Sequence, residues 1–315
     1  MDIPLATWVP ARARWARSVT GLAFVLAFVF AGCVGSPEAE APPDWLAWRE
    51  RRHESIAGPE GWLTLAGLHW LREGENTVGS DPGHPVVLPA GKAPLTVGIL
   101  IRSGSKVRFR ANPGVDVTVE GVSVGEMDMD LVSDASLTPT KLRVGGLTFW
   151  VLDRGDRMGV RVRDPESVAR REFAGLECFP YDPAWRIPGR FEPHGEAKVV
   201  RVRDVTGATQ DTRVVGDLVF AHQGVEHRLP AVEEPGEEDF FVIFRDRTAG
   251  GTTYGAGRYL YVARPISGSS VVLDFNRAYT PPCGFTPYAT CPLPPRGSWL
   301  PFEVRAGERT PPGHP

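Results

Sequence analysis

Residues 271–295 read VVLDFNRAYTPPCGFTPYATCPLPP, a β-strand pattern that turns at once into a proline-rich loop. Apolar and other residues alternate in the strand part, so Asp274 and Asn276 are expected on the face opposite Leu273 and Phe275. The loop that follows contains two tyrosines and two cysteines. Polar groups suited to a ligand-binding or catalytic site are therefore expected where a strand ends and a loop begins.

Short strand patterns fill most of the chain on both sides of residue 165. Gly, Pro, Asn or Asp separate them, and the 35 Gly and 30 Pro are spread through the sequence rather than repeated. Such spacing predicts an all-β fold with two β-sandwich or barrel-like halves. The halves are placed at residues 44–165 and 166–309, the last strand candidate is Leu300–Val304, and residues 310–315 form a disordered tail.

A short amphipathic helix is predicted at the start of the folded part. Asp44 follows two prolines as a candidate N-cap, and Trp45, Leu46, Trp48 and Arg49 fall at helical spacing. We expect this helix to cover an edge of the β-structure.

The first 33 residues resemble a bacterial lipoprotein signal peptide. Three arginines precede the uncharged apolar run Val19–Phe30, and small residues lead to Cys33. Cys33 is then the lipidated first residue of the mature chain, and residues 34–43 are a flexible tether. The other interpretations are an ordinary signal peptide or an uncleaved anchor. The lipoprotein interpretation predicts an exported protein that contacts the membrane only through its N-terminal lipid.

Composition excludes some partners. The net charge is −3 and there is no basic block, so nucleic-acid binding is not expected. The glycine-rich stretch Asp246–Arg258 lacks the Gly-Lys-Ser/Thr of a phosphate loop, so it predicts a turn and no cofactor. The oligomeric state stays open.

Several motifs resemble a known family. They are Gly61-Trp62-Leu63, Gly74-Glu75-Asn76, Asp182–Arg186, Thr253–Leu260, and Asp274–Tyr279 with the Pro-Pro-Cys and Cys-Pro-Leu-Pro-Pro segments after it. Together they are similar to the family known as domain of unknown function 1684, over about residues 45–308. Arg296–Trp299 stands where that family typically has an Asn. The resemblance implies no established activity.

The first half also resembles a forkhead-associated sandwich. The order Gly74-x-Asn76-x-x-Gly79-Ser80-Asp81, followed later by Val-Gly-Gly-Leu-x-Phe-x-Val, is similar to that fold. The phosphothreonine-reading residues are missing from their expected places, so phosphopeptide recognition is not carried over.

Cys283 and Cys291 are predicted to form a disulfide in the exported protein, since oxidising compartments favour disulfides. Two alternatives remain open. A zinc site would need two further ligands, and no ligand-spaced motif accompanies the pair, so no metal is expected. A reactive thiolate would need a nearby histidine base. Cys178 is expected to be a packing residue.

The candidate site lies beside the 274–291 loop. If the polar strand face lines an interior, Asp274, Asn276, Arg258 and Tyr254 could converge on a small polar or anionic ligand, with Tyr279 and Tyr288 as a lid. The alternative is that Asp274 braces the loop and Arg258 neutralises it.

Two charged segments have both a plain and a functional interpretation. Arginines on one face of the strand at 157–163 predict a solvated face, or else an anion pocket. The acidic run 233–239 predicts a solvated loop, with weak Ca²⁺ binding as the alternative.

Three functions follow from these patterns. The first is a binding protein for a small polar or anionic ligand, using Arg258, Asp274, Asn276, Tyr279 and Tyr288. The second is a hydrolase with Asp274 as base or orienter and Tyr254, Tyr279 and Arg258 as partners. The third is a structural envelope protein without a small ligand.

Overall fold

Alternating apolar residues build the strands of the first half. In Lys106–Ala111 every second side chain is buried, as expected of a strand with one face on a core. The computed structural model describes residues 40–155 and 157–311. The strands of this half are β1 Leu65–Trp70, β2 Gly74–Gly79, β3 Val86–Val87, β4 Gly98–Ser103, β5 Lys106–Ala111, β6 Thr118–Val119, β7 Val122–Ser123, β8 Met129–Leu131, β9 Leu142–Val144, β10 Leu147–Arg154 and β11 Arg157–Arg163.

These strands form a sandwich of two sheets. One sheet has the order β1-β11-β10-β9-β6-β7 and the other has the order β3-β2-β4-β5-β8. Their inner faces share one core, in which the Phe109 and Phe149 rings meet edge to face at 5.9 Å. The outer face of β10 and β11 remains free to contact the second half.

The second half is a six-stranded antiparallel half-barrel. Its order is β16-β15-β14-β13-β12-β17. The strand that comes last in the sequence, β17, pairs with the strand that comes first, β12. Phe220, Phe244 and Phe275 pack together in its separate core. The strands are β12 Arg186–Arg203, β13 Thr209–His222, β14 Val225–Glu233, β15 Phe240–Phe244, β16 Arg258–Val262 and β17 Ser270–Asp274.

The predicted N-terminal helix is present as α1, Pro43–Ala57. It begins with a proline, which has no N–H to leave unpaired in the first turn. Its buried residues Trp45, Arg52 and Ile56 share one face. The Trp45 indole N–H donates to the carbonyl oxygen of Asn276 at 2.9 Å. The helix is therefore fastened to the second half. A second helix, α2 Val168–Arg171, lies between the two halves.

The described residues of both halves belong to one compact unit. The outer face of β10 packs through Trp150 and Leu152 against Leu65, Trp62 and Tyr288. The predicted all-β class with a short N-terminal helix is confirmed. The predicted division at residue 165 falls between β11 and α2, where the sheets change but the packing continues.

Two predicted strand segments are not strands. Leu300–Val304 does not form a strand, although Leu300 and Val304 are buried in the second core. Its backbone is held by a side chain, because Arg258 donates to the carbonyl oxygen of Val304 at 2.8 Å. The strand β17 also ends at Asp274, and Phe275–Arg277 is a turn of 3₁₀ helix. The alternation assumed for Asp274 and Asn276 therefore stops between them.

The predicted signal peptide, Cys33 and most of the tether lie outside the described residues. Among the residues that the structure describes, no helix is long and apolar enough to cross a membrane.

Candidate functional site

Asp274 is bonded within the fold at the end of β17. Its Oδ1 accepts from the backbone N–H of Asn276 at 3.2 Å, and its Oδ2 lies 3.5 Å from Arg186 Nε and 3.4 Å from Arg277 Nε. Asn276 is buried and exchanges two hydrogen bonds with the backbone of Asp182, at 2.9 and 3.0 Å. Asp274 braces the chain as the alternative interpretation proposed, and Asn276 does so as well, but the arginines beside Asp274 are Arg186 and Arg277 rather than Arg258.

Arg258 does not meet Asp274. It is 1% exposed and pairs with Asp246, with 2.8 Å between Arg258 Nη2 and Asp246 Oδ2. It also donates to the carbonyl oxygen of Ala306. The Tyr254 hydroxyl donates to the carbonyl oxygen of Cys283 at 3.1 Å. The expected convergence of Asp274, Arg258 and Tyr254 is therefore wrong, because each satisfies a different part of the backbone.

A cavity that does not include Asp274 borders the proline-rich loop. It has a volume of about 630 Å³ and lies between α1, the outer face of β10 and β11, strand β16 and the loop. Of the five predicted ligand-binding residues, all in the described part of the chain, Tyr279 lines it and the other four do not. The lining residues are Trp48, Arg51, Arg52, Ser55, Trp62, Arg154, Arg161, Gln210, Glu234, Glu237, Phe241, Tyr259, Tyr261, Tyr279, Pro282, Thr290, Cys291 and Pro292.

Arg161 is the least compensated charge in this cavity. It is 6% exposed, its Nε has no hydrogen-bond partner, and its Nη2 donates to Thr290 Oγ1 at 3.4 Å. It forms no ion pair with any residue in 40–155 or 157–311. Burial, helped by the neighbouring Arg154 charge, lowers the pKa of Arg161 to about 10. The guanidinium lies on the cavity wall, largely buried, and has no carboxylate partner among the described residues.

Arg154 extends the basic wall but is neutralised. It forms a two-pronged ion pair with Asp134, with Nη1–Oδ1 and Nη2–Oδ2 distances of 2.9 and 2.7 Å. Its Nε donates to Thr290 Oγ1 at 3.0 Å. Thr290 thus bridges Arg154 and Arg161 and holds the two guanidinium groups beside one another.

The opposite wall is aromatic and acidic. The Tyr261 and Tyr279 rings are stacked with centroids 6.1 Å apart, and Arg52 lies over Tyr279 at 4.6 Å. The Tyr261 hydroxyl donates to Glu234 Oε2 at 2.9 Å. Burial raises the pKa of Glu234 above its usual range. This wall combines flat apolar surface with a partly buried carboxylate.

Cys283 and Cys291 are neighbouring free thiols in this structure. The backbone N–H of Cys283 donates to Cys291 Sγ at 3.2 Å. A hydrogen bond from the Cys291 thiol lowers the pKa of Cys283, and burial raises the pKa of Cys291 well above its usual range. The disulfide stays a prediction for the oxidised protein. In the described ranges, no group of three or more His, Cys, Asp or Glu residues could hold a metal ion.

The sequence contained one signal for this site. Each arginine of β11 lies over a tryptophan ring: Arg157 over Trp70 at 3.7 Å, Arg161 over Trp62 at 5.7 Å and Arg163 over Trp150 at 5.2 Å. Of these three, Arg161 is the one that lines the cavity. The anion-pocket interpretation therefore fits Arg161 alone. Arg154, Tyr261 and Glu234 could not have been assigned to the same site, since they come from separate strands and loops.

Comparison with known proteins gives a family match in the second half of the chain. The family model described as a protein of unknown function, DUF1684, matches residues 171–309. An uncharacterized protein of Haloarcula marismortui, solved by solution NMR, is 34% identical over 46% of this chain and 81% of its own, with a TM-score of 0.39.

A forkhead-associated domain studied for phosphothreonine-dependent interactions is 17% identical over 30% of this chain and 92% of its own, with a TM-score of 0.20. No curated protein matches the chain. None of these matches assigns a ligand to the cavity.

The buried Arg258 predicts a large effect on stability. Replacing it in the variant Arg258→Met leaves Asp246 buried without its partner, so we expect a loss of about 3–5 kcal/mol in the free energy of unfolding. Urea denaturation followed by circular dichroism measures this loss. Arg213→Met, at an exposed ion pair with Glu233, is the control and should change stability far less. Equal losses in the two variants would contradict a structural role for Arg258.

The thiol pair predicts ready disulfide formation. Treatment with oxidised glutathione should remove the mass of two hydrogen atoms from the protein and stabilise it by about 2–3 kcal/mol, because the loop between the cysteines is closed in the unfolded chain. Intact mass spectrometry and thermal melting measure the two effects. Cys178→Ser should behave like wild type and Cys283→Ser should not. A wild-type mass that is unchanged by the oxidant would refute the predicted disulfide.

Proposed function

The chain belongs to the DUF1684 family, whose function is unknown, and from the cavity geometry we propose that it binds a small molecule carrying an anionic group. The observation that carries this proposal is the buried, unpaired guanidinium of Arg161 on the cavity wall. A binding protein is the first of the three functions expected from the sequence, with its site moved from Asp274 to Arg161.

The energetic argument rests on charge burial. A charge taken out of water costs several kcal/mol unless a partner of opposite sign compensates it. Arg52 and Arg258 have such partners in Glu308 and Asp246. Arg161 has only the Thr290 hydroxyl and the Trp62 ring at 5.7 Å, with an open cavity in front of it and no carboxylate partner among the described residues. A bound carboxylate or phosphate would supply the missing partner, and the planar guanidinium can hold either with two parallel hydrogen bonds.

The cavity has the size and composition of a small-molecule site. Its volume of about 630 Å³ lies within the range common for such sites. Trp62, Phe241 and Tyr259 provide apolar surface around a few polar groups. This combination suits a ligand with one anionic end and a flat or apolar body.

The geometry does not favour the other two functions. A hydrolase built on Asp274 would need that carboxylate to face a substrate, and it is bonded to Asn276, Arg186 and Arg277. A purely structural role explains Asp274 and Asn276. It gives no reason for leaving Arg161 unpaired beside a cavity.

Anion binding predicts a specific response of Arg161→Met. Wild-type melting temperature should rise with inorganic phosphate, acetate or benzoate, because a ligand that binds only the folded state stabilises it. Arg161→Met should bind the best of these anions at least tenfold more weakly in isothermal titration calorimetry. It should melt no lower than wild type without the anion, since it removes an uncompensated buried charge.

Arg157→Met is the matched control from the same strand, because Arg157 stacks on Trp70 and does not line the cavity. This control should bind as wild type does. The proposal is refuted if no anion shifts wild-type melting, or if Arg161→Met retains full affinity.

We also propose that the protein is exported and anchored by a lipid on Cys33. The support is the order of arginines, apolar run and Gly32-Cys33 at the N-terminus. In a bacterial host, wild type should partition into the membrane fraction with the mass of a lipidated chain that begins at residue 33. Cys33→Ser should lose both properties, and Cys178→Ser should keep them. A wild-type protein without lipid would rule this out.

A further inference from the structure

Glu234 is a second uncompensated charge in the same cavity. It follows β14 in the segment between β14 and β15, and its Oε2 accepts from the Tyr261 hydroxyl at 2.9 Å. It forms no ion pair with any residue of the two described ranges. Its neighbour Glu233, in contrast, pairs with Arg213 at 2.6 Å and with Arg264 at 3.3 Å. Glu234 therefore lines the cavity without a cationic partner among the described residues.

Arg161 and Glu234 have opposite charges but do not form an ion pair with each other. Arg161 lies on the wall formed by β11, and Glu234 lies beside Tyr261 on the opposite wall. The other buried or half-buried arginines of the lining are already paired, Arg52 with Glu308 and Arg154 with Asp134. With those pairs set aside, the charges that remain away from solvent are positive at Arg161 and negative at Glu234, while the two other charged residues of the lining, Arg51 and Glu237, are exposed.

The surroundings of Glu234 suit a cation. Tyr261, whose hydroxyl binds this carboxylate, stacks on Tyr279 and lies 5.3 Å from Phe241, so the carboxylate stands at one end of a group of three aromatic rings. Aromatic faces attract ammonium groups, and Arg52 already lies over the Tyr279 ring at 4.6 Å. Tyr261 is 36% exposed, which leaves ring surface available to a ligand. A carboxylate beside such rings is better matched by an ammonium group than by a neutral hydroxyl.

We propose that the ligand is a zwitterion, with its anionic group on Arg161 and an ammonium group against Glu234 and Tyr261. This inference rests on the proposed anion binding and adds the second charge of the ligand. Amino acids, ω-amino acids and the phosphate esters of amino alcohols share this chemistry. The anion would be a carboxylate in the first two classes and a phosphate in the third.

The test uses probes that differ by one charge. Isothermal titration calorimetry is done on wild type with glycine, β-alanine, 4-aminobutyrate, 5-aminopentanoate, 6-aminohexanoate and phosphoethanolamine. Each is compared with the molecule that lacks its amino group, and with the amine that lacks its acid group. At least one zwitterion should bind tenfold or more tightly than both of its single-charge counterparts. The series identifies the spacing and whether the anion is a carboxylate or a phosphate.

Variants then assign the gain to Glu234. Glu234→Gln should reduce the affinity for the best zwitterion to that of the matching anion, and should leave the affinity for that anion unchanged or higher. Retained anion binding shows that the variant is folded. Tyr261→Leu should lose part of the gain by removing the ring face. Glu238→Gln is the control, since it changes an exposed residue of the same acidic run that does not line the cavity.

The outcomes separate this inference from the proposed function. If anions bind through Arg161 and the amino group adds nothing, the zwitterion is wrong and anion binding stands. If the gain survives in Glu234→Gln, the ammonium group is held elsewhere and the assignment is wrong. If neither anions nor zwitterions bind wild type, both proposals fail.

Discussion

The buried ion pair between Arg258 and Asp246 holds the second half of the molecule together. Arg258 is the first residue of β16, and its side chain donates to the carbonyl oxygens of Val304 and Ala306. Asp246 accepts from the backbone N–H of Val304 at 2.7 Å. A charge pair with all its hydrogen bonds made can be tolerated in a core, whereas either partner alone cannot. The terminal segment is thus held in the half-barrel without becoming a strand.

The same rule connects structure to function. Among the described residues the buried arginines are Arg52, Arg161 and Arg258. Arg52 pairs with Glu308 at 2.7 Å and joins α1 to the C-terminal segment, so its burial is compensated. Arg161 is the exception, and it is the arginine that faces a cavity. The departure from a rule that the rest of the fold obeys is what points to a ligand.

The cavity belongs to neither half alone. Its basic wall comes from the first sandwich through Arg154 and Arg161, and its aromatic wall comes from the half-barrel through Tyr261. The family model matches residues 171–309, so the basic wall lies outside the matched region. Family membership therefore describes one wall of the site, and the other wall depends on how the first sandwich packs against it.

The all-β class, the N-terminal helix and the family can be predicted from the amino-acid sequence, because they depend on local periodicity, turn residues and short motifs. The sequence also predicted a site beside the proline-rich loop, and this loop borders the cavity through Pro282, Thr290 and Cys291. Which charges are paired follows from the folded arrangement and not from the sequence pattern. From the sequence, Arg258 is a candidate ligand-binding residue and Arg161 is one of several arginines on a strand face. In the structure Arg258 pairs with Asp246, whereas Arg161 has no carboxylate partner among the described residues. Charge compensation depends on residues far apart in the chain, and no local pattern records which of them meet.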